Sequence, residues 1–221
     1  MDTPAPAPAD QAPEAAPAPG PAAASGPAAT PATYDFTGLT LRTERLILRP
    51  WAEADIDAIT AACQDPLTQR YTTVPSPYTR THAELFVRET VPRKRAAGTD
   101  AVFGAFLAAT GEPVACVGLH QLSHLGAAYG GDGGIGYWAV PGTRGRGYTT
   151  EAVREVCRWG FEDLGAAVIR WSAIVGNEAS WRVVEKVGFT REGTRRAQLI
   201  QRGVRVDTWT GSLLRKDFRP A

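Results

Sequence analysis

The densest concentration of chemistry in the chain is the run Val140–Pro141–Gly142–Thr143–Arg144–Gly145–Arg146–Gly147–Tyr148–Thr149–Thr150–Glu151–Ala152. An apolar strand pattern ends at Pro141, the glycines Gly142, Gly145 and Gly147 follow, and a helical period begins near residue 149. Glycine lets the main chain approach a ligand closely. The first N–H groups of a helix have no intrahelical partner and attract anions. Arg144 and Arg146 add positive charge. The combination reads as a phosphate site, most naturally for a pyrophosphate.

Three schemes place a glycine-rich turn on phosphates. A P-loop needs Lys and then Ser or Thr after its glycines, and this run has neither. A dinucleotide fold puts the turn after its first strand; here it follows the fourth, deep in the chain. The third scheme is a nucleotide carrying a pantetheine arm, whose amides lie beside an open strand edge.

The elements around this run follow from pattern. A strand is expected over 44–49, stopped by Pro50. Ala54, Ile56, Ala58, Ile59 and Ala62 carry a helical period that Pro66 is expected to end. A second helix is expected around 80–91, closed by Pro92. Two strands over 101–109 and 114–122 flank the Gly111–Glu112–Pro113 turn. Residues 126–134, rich in glycine, read as a flexible loop, and 135–140 as a short strand. A helix over 149–164, a strand over 168–175, a helix ended by Gly188 and a final hairpin turning near 201–203 complete the chain. The order predicts a mixed α/β (α+β) sandwich around one central sheet.

Composition bounds the rest. The chain has 221 residues and a formal charge of +1. Residues 1–33 hold 9 of the 17 prolines and no Lys or Arg, so they read as a disordered Pro/Ala-rich tail. Residues 34–221 remain as one domain, with 24 Lys and Arg against 20 Asp and Glu. That excess is too small to imply nucleic-acid binding. No apolar run spans a membrane, no signal peptide is visible, and the expected location is the cytoplasm. Cys63, Cys116 and Cys157 are too far apart for a thiolate metal site, and no metal is expected.

Four segments, in order, resemble the GNAT acetyltransferases of the RimJ/RimL-like branch. They are Thr43–Trp51, Ile135–Gly136–Tyr137–Trp138, the Arg144–Tyr148 loop with Glu151–Ala152, and Asn177–Ser180 followed by Glu185–Phe189. The resemblance covers roughly 39–216. It implies the acyl-CoA N-acyltransferase fold: a central, mostly antiparallel, splayed sheet with helices on both faces. It implies acetyl-CoA as co-substrate and a primary amine as acceptor. By resemblance, main-chain groups of Ala139 and Val140 hold the pantetheine arm. Arg144, Gly145, Arg146, Gly147, Tyr148 and Thr149 hold the pyrophosphate, and Asn177 and Ser180 line the arm near the thiol. Tyr137 and Trp138 lie on the strand that shapes the acceptor pocket. The family's usual Gln or Arg three residues before the paired glycines is Gly142 here, so a side-chain contact is lost while main-chain binding survives.

Acetyl transfer needs a neutral amine. A peptide α-amine has a pKa near 8 and a lysine one near 10.4, so roughly a quarter of the former is neutral at pH 7.5 against about one part in a thousand of the latter. An α-amine therefore needs little help from a base. The reaction also needs the carbonyl oxygen stabilised, with the Val140 N–H a candidate, and the thiolate protonated, with Ser180 or Tyr148 as donors. For the base, relatives often carry an acidic residue just before Ile135, where this chain has Gly134. The ribosomal-protein enzymes carry a glutamate whose nearest match is Gln198. Asp132, His120 and Asp207 remain as candidates. The acceptor is expected to be a protein or peptide α-amine. A small-molecule amine is the alternative, and a non-catalytic acyl-CoA sensor a third reading. The assembly is expected to be a monomer or homodimer.

Overall fold

The computed structural model describes residues 34–220. The Pro/Ala-rich tail lies outside the described residues. Strands β1 (Leu41–Arg42) and β2 (Leu46–Arg49) pair antiparallel, burying Leu41, Leu46 and Leu48. Helix α1 (Ile56–Gln64) buries Ile56, Ile59, Ala62 and Cys63. Pro66 does more than end it: it opens a second helix, α2 (Pro66–Tyr71), whose Thr68 N–H donates to the Asp65 carboxylate at 2.9 Å. Proline is well placed there, because the first N–H groups of a helix have no partner to lose. Pro92 likewise fails to close its helix. Helix α3 (Arg80–Leu85) runs through a π-helical stretch, Phe86–Thr90, into α4 (Val91–Ala96), with Pro92 in the first turn of α4.

The meander follows as β3 (Ala101–Leu107), β4 (Pro113–Ser123) and β5 (Gly131–Ala139). The glycine-rich stretch is therefore only partly a loop, since Gly131–Gly134 begin β5. Packing explains it. A Cβ on Gly131 would lie 2.6 Å from a Leu125 methyl and one on Gly133 2.8 Å from a Leu122 methyl, so these glycines admit neighbouring side chains. Helix α5 (Tyr148–Glu162), β6 (Ala166–Ile174), α6 (Glu178–Val187), β7 (Thr190–Gln201) and β8 (Val204–Leu214) complete the order.

One eight-stranded sheet runs β1-β2-β3-β4-β5-β6-β8-β7. Its pairs are antiparallel except β5–β6. Helices α5 and α6 cover one face, with Val153, Val156 and Phe161 packed with Phe103, Leu119 and Ile169 in one core. Helices α1, α3 and α4 cover the other, with Ile59, Val87 and Val91 in a core with Val102, Phe106 and Cys116. The β5–β6 pairing stops at Ile135 and Trp171. Past that point β5 stays with β4 to Ala139, and β6 stays with β8 to Ile174. Each strand follows its outer partner, and the sheet splays.

Candidate active site

The splay leaves one side of β5 without a partner from Gly136 to Ala139. Val140 N–H donates to the Val114 carbonyl at 2.9 Å. Antiparallel pairing alternates sides, so Trp138 and Gly136 also turn their main chain to β4, while Tyr137 and Ala139 turn theirs to the opening. Ala139 is thus free to meet an arm. Val140 is not: its N–H is taken by Val114 and its carbonyl accepts from Thr143 N–H and Oγ1. The expected Val140 contribution to the arm and to the thioester oxygen does not hold, because the strand register points those groups away.

Gly145 and Gly147 have φ of +79° and +81°, and Gly147 caps the N-terminus of α5. Among the described residues the N–H groups of Gly145, Arg146 and Gly147 donate to no main-chain acceptor. The first helical bond is from Glu151 N–H to Gly147 at 3.0 Å, so the N–H groups of Tyr148 and Thr149 point out of the helix start as well. Arg146 is exposed, whereas Arg144 reaches back to the Asp65 carboxylate at 2.5 Å and holds its carboxyl below the usual range. The sequence reading did not connect Arg45 to this loop. Its guanidinium pairs with Glu151 at 2.6 Å, lies 4.7 Å from the centre of the Tyr148 ring, and Thr43 donates to Glu151 at 2.5 Å. Burial raises the Glu151 carboxyl, yet the bonds from Thr43 and Arg45 outweigh it and hold the group ionised at lower pH. Two motifs read separately, Thr43–Arg45 and Glu151, form one lock on the helix start.

At the other end of the opening, the Asn177 side chain accepts the Ser180 N–H at 3.2 Å and so caps α6. Ser180 Oγ accepts from Trp171 Nε1 at 3.1 Å and lies 2.9 Å from Tyr137 Oη, which donates to the Ser180 carbonyl at 2.8 Å. Either hydroxyl of the Tyr137–Ser180 pair can donate to the other. Burial pushes the Tyr137 phenol well above its usual range. Tyr137, expected in the acceptor pocket, therefore sits on the α5–α6 face with Ser180. Trp138 lies on the opposite face and lines a cavity of about 210 Å³ with Ile59, Cys63, Val74, Tyr78 and Phe86.

The remaining candidates separate. Asp132 is at the far end of β5, roughly 17 Å of strand from Tyr137, bonded to Ser123 and 3.9 Å from Arg170. Tyr148 sits at the phosphate end under Arg45, away from the Tyr137–Ser180 pair. Asp207 accepts the Ala197 N–H at 2.8 Å and holds the irregular stretch of β7, where Gln198 is exposed. His120, on β4 opposite Gly134, lies over Gly136 at the splay. The Cys63 thiol, which borders the cavity, is pushed up to about 11 by burial and is no nucleophile. Among the described residues no group of His, Cys, Asp or Glu could hold a metal ion, and no helix is long and apolar enough to cross a membrane.

An open strand edge leading to a helix start with free N–H groups has the shape and donors to cradle a coenzyme A thioester. The acetyltransferase (GNAT) domain family matches residues 45–190. The chain belongs to the GNAT acetyltransferases. YoaA of Bacillus subtilis, an uncharacterized N-acetyltransferase, is 29% identical over 185 residues, covering 79% of this chain and 96% of its own. RimL, described as a ribosomal alpha-N-protein acetyltransferase in complex with coenzyme A, superposes with a TM-score of 0.69 at 17% identity over 79% of this chain and 97% of its own. The microcin C7 self-immunity acetyltransferase MccE, solved with acetyl-CoA and AMP, gives 0.67 at 18% identity over 78% and 93%. This GNAT enzyme is an N-acetyltransferase that takes acetyl-CoA as co-substrate. Its residues fit that molecule. The Arg146–Thr149 N–H groups suit a pyrophosphate, and the open edge spans ~13 Å. A pantetheine arm has roughly as many chain atoms as four residues of backbone, which brings a thiol to the level of Tyr137 and Gly136.

Proposed function

We propose that this GNAT enzyme acetylates the N-terminal α-amine of a protein or peptide in the cytoplasm. The observation that carries the reading is the cavity beside Trp138. It has room for about one side chain, and none of its lining residues is acidic. A polyamine or aminoglycoside acceptor calls for carboxylates to hold its extra cations. An N-terminal residue brings one amine and one side chain. The ribosomal-protein relative supports the same reading. The amine's lone pair bonds to the thioester carbonyl carbon, the nitrogen loses a proton, the carbon–sulfur bond breaks, and the thiolate takes a proton. Ala139 and Tyr137 main-chain groups align the arm, Asn177 lines it, and the Ser180–Tyr137 hydroxyl pair supplies that proton. The test is thiol release from acetyl-CoA with a panel of N-terminal peptides, Nα-blocked lysine peptides and polyamines. N-terminal peptides are expected to exceed the other classes at least tenfold in kcat/KM. Preferential turnover of polyamines or blocked lysine peptides would overturn the reading.

A further inference from the structure

Gly134 presents no side chain at the start of the splay, and the opposing strand supplies one beside it. Gly134 pairs directly with His120. Even-numbered residues of this pair of strands face the side that also carries Trp138 and the cavity. The His120 ring leans over Gly136, where β5 has just lost its β6 partner. A Cβ on Gly136 would lie 3.0 Å from His120 Nε2 and would press the ring aside by a few tenths of an ångström, so glycine leaves the ring its present seat. On the other side of the ring, Nδ1 is 2.8 Å from the Asp100 carboxylate. Asp100 is buried and also accepts from Lys94 Nζ at 3.1 Å, so its geometry is fixed from two directions. An ionised carboxylate on Nδ1 selects the tautomer with its proton on that nitrogen and leaves Nε2 as an acceptor. The imidazole side chain is 37% exposed, so the ring is not sealed in the core.

We propose that His120 is the acceptor-side base of the transfer, with Asp100 as its positioning residue. The assignment rests on the α-amine reading above. As the amine nitrogen bonds to the carbonyl carbon, it becomes positively charged and must lose a proton. His120 Nε2 takes that proton, directly or through one water. The carbon–sulfur bond then breaks, the thiolate is protonated at the Ser180–Tyr137 end, and that pair regains a proton from solvent as His120 returns its own. No oxidant or further reactant enters.

The experiment compares wild type, H120Q, H120A, D100N and G136A by steady-state kinetics on the best N-terminal peptide. Calorimetric titration with CoA and a thermal melt accompany each. H120Q is expected to lower kcat at least twentyfold while the peptide KM and the CoA Kd change less than threefold. D100N is expected to lower kcat about tenfold, and G136A to do the same by displacing the ring. Added imidazole is expected to restore at least fivefold of the H120A loss, which a purely structural histidine does not permit. Wild-type kcat in folded H120Q and H120A, within twofold, overturns this assignment and leaves the α-amine reading standing. So does a lowered kcat with no imidazole rescue. A wild-type chain that binds acetyl-CoA but acetylates no N-terminal peptide overturns the proposed function and this assignment with it.

Discussion

Under the proposed reading, single residues at the cradle divide into those that would bind through their main chain and those that would act through a side chain. Gly145 and Gly147 belong to the first group. Both are left-handed, and a Cβ on Gly145 would meet nothing within 4 Å. The penalty for another residue is therefore conformational, roughly 1–2 kcal/mol, together with loss of the N–H array it presents. Gly145→Val or Gly147→Val is expected to raise the CoA Kd at least tenfold in calorimetric titration; unchanged affinity in a folded variant would remove the loop from the site. Ser180 belongs to the second group, and its hydroxyl is not used to cap its own helix, a role that falls to Asn177. That hydroxyl is instead bonded to Trp171 and Tyr137. Ser180→Ala is expected to lower kcat at least tenfold with CoA affinity changed less than threefold, and to cost about 1–2 kcal/mol in denaturant unfolding because the Trp171 N–H loses its acceptor. Tyr137→Phe should reproduce the kinetic loss. A stability change without a kcat change would make the pair structural.

At the level of elements, the close seat of α5 on the sheet aims its N-terminus at the open edge. Gly160 makes that seat possible. A Cβ there would lie 2.8 Å from a Leu119 methyl and 3.1 Å from an Ile169 methyl. Gly160→Val overpacks this contact and is expected to destabilise by about 1–3 kcal/mol, read as a lower Tm, with CoA binding weakened as the helix start shifts. A variant with unchanged melting would show that the core yields there freely. The opposite wall is set by a hairpin. Gln201 Nε2 donates to the carbonyls of Arg70 and Thr72 at 2.8 and 2.9 Å, and Arg202 to that of Gln69 at 2.6 Å. These side chains satisfy the last carbonyls of α2, as cations and amides do at helix ends. Nothing in the local pattern of Gln201–Gly203 announces that contact, since its partners lie some 130 residues earlier.

On the scale of the whole molecule, the described domain carries the core and the cradle together, while residues 1–33 are almost all small or conformationally restricted residues. Their deletion is expected to leave Tm within about 2 °C, since such a change reflects only a few tenths of a kcal/mol, and kcat/KM within twofold. A larger drop in either would mean that the segment packs on the domain or covers the site. The sequence by itself determined the main order of elements, the glycine-rich strand-to-helix junction and the family. Apolar periods of two and near 3.6, and glycines at a strand-to-helix junction, are local properties of the chain. It misjudged Pro92 and did not show that Pro66, which ends α1, also opens α2, because a proline that stops one helix serves equally at the first turn of the next. It read Gly131–Gly134 as loop, because the Leu122 and Leu125 side chains that those glycines admit are contacts across strands. It could not tell Asp132 from His120, or see that Val140 turns inward. Distance along a strand, ladder alternation and the Asp100 partner of His120 are decided only when separate segments meet. Types of chemistry are written in residues; which of those residues share a site is decided by register and by the point where β5 and β6 part.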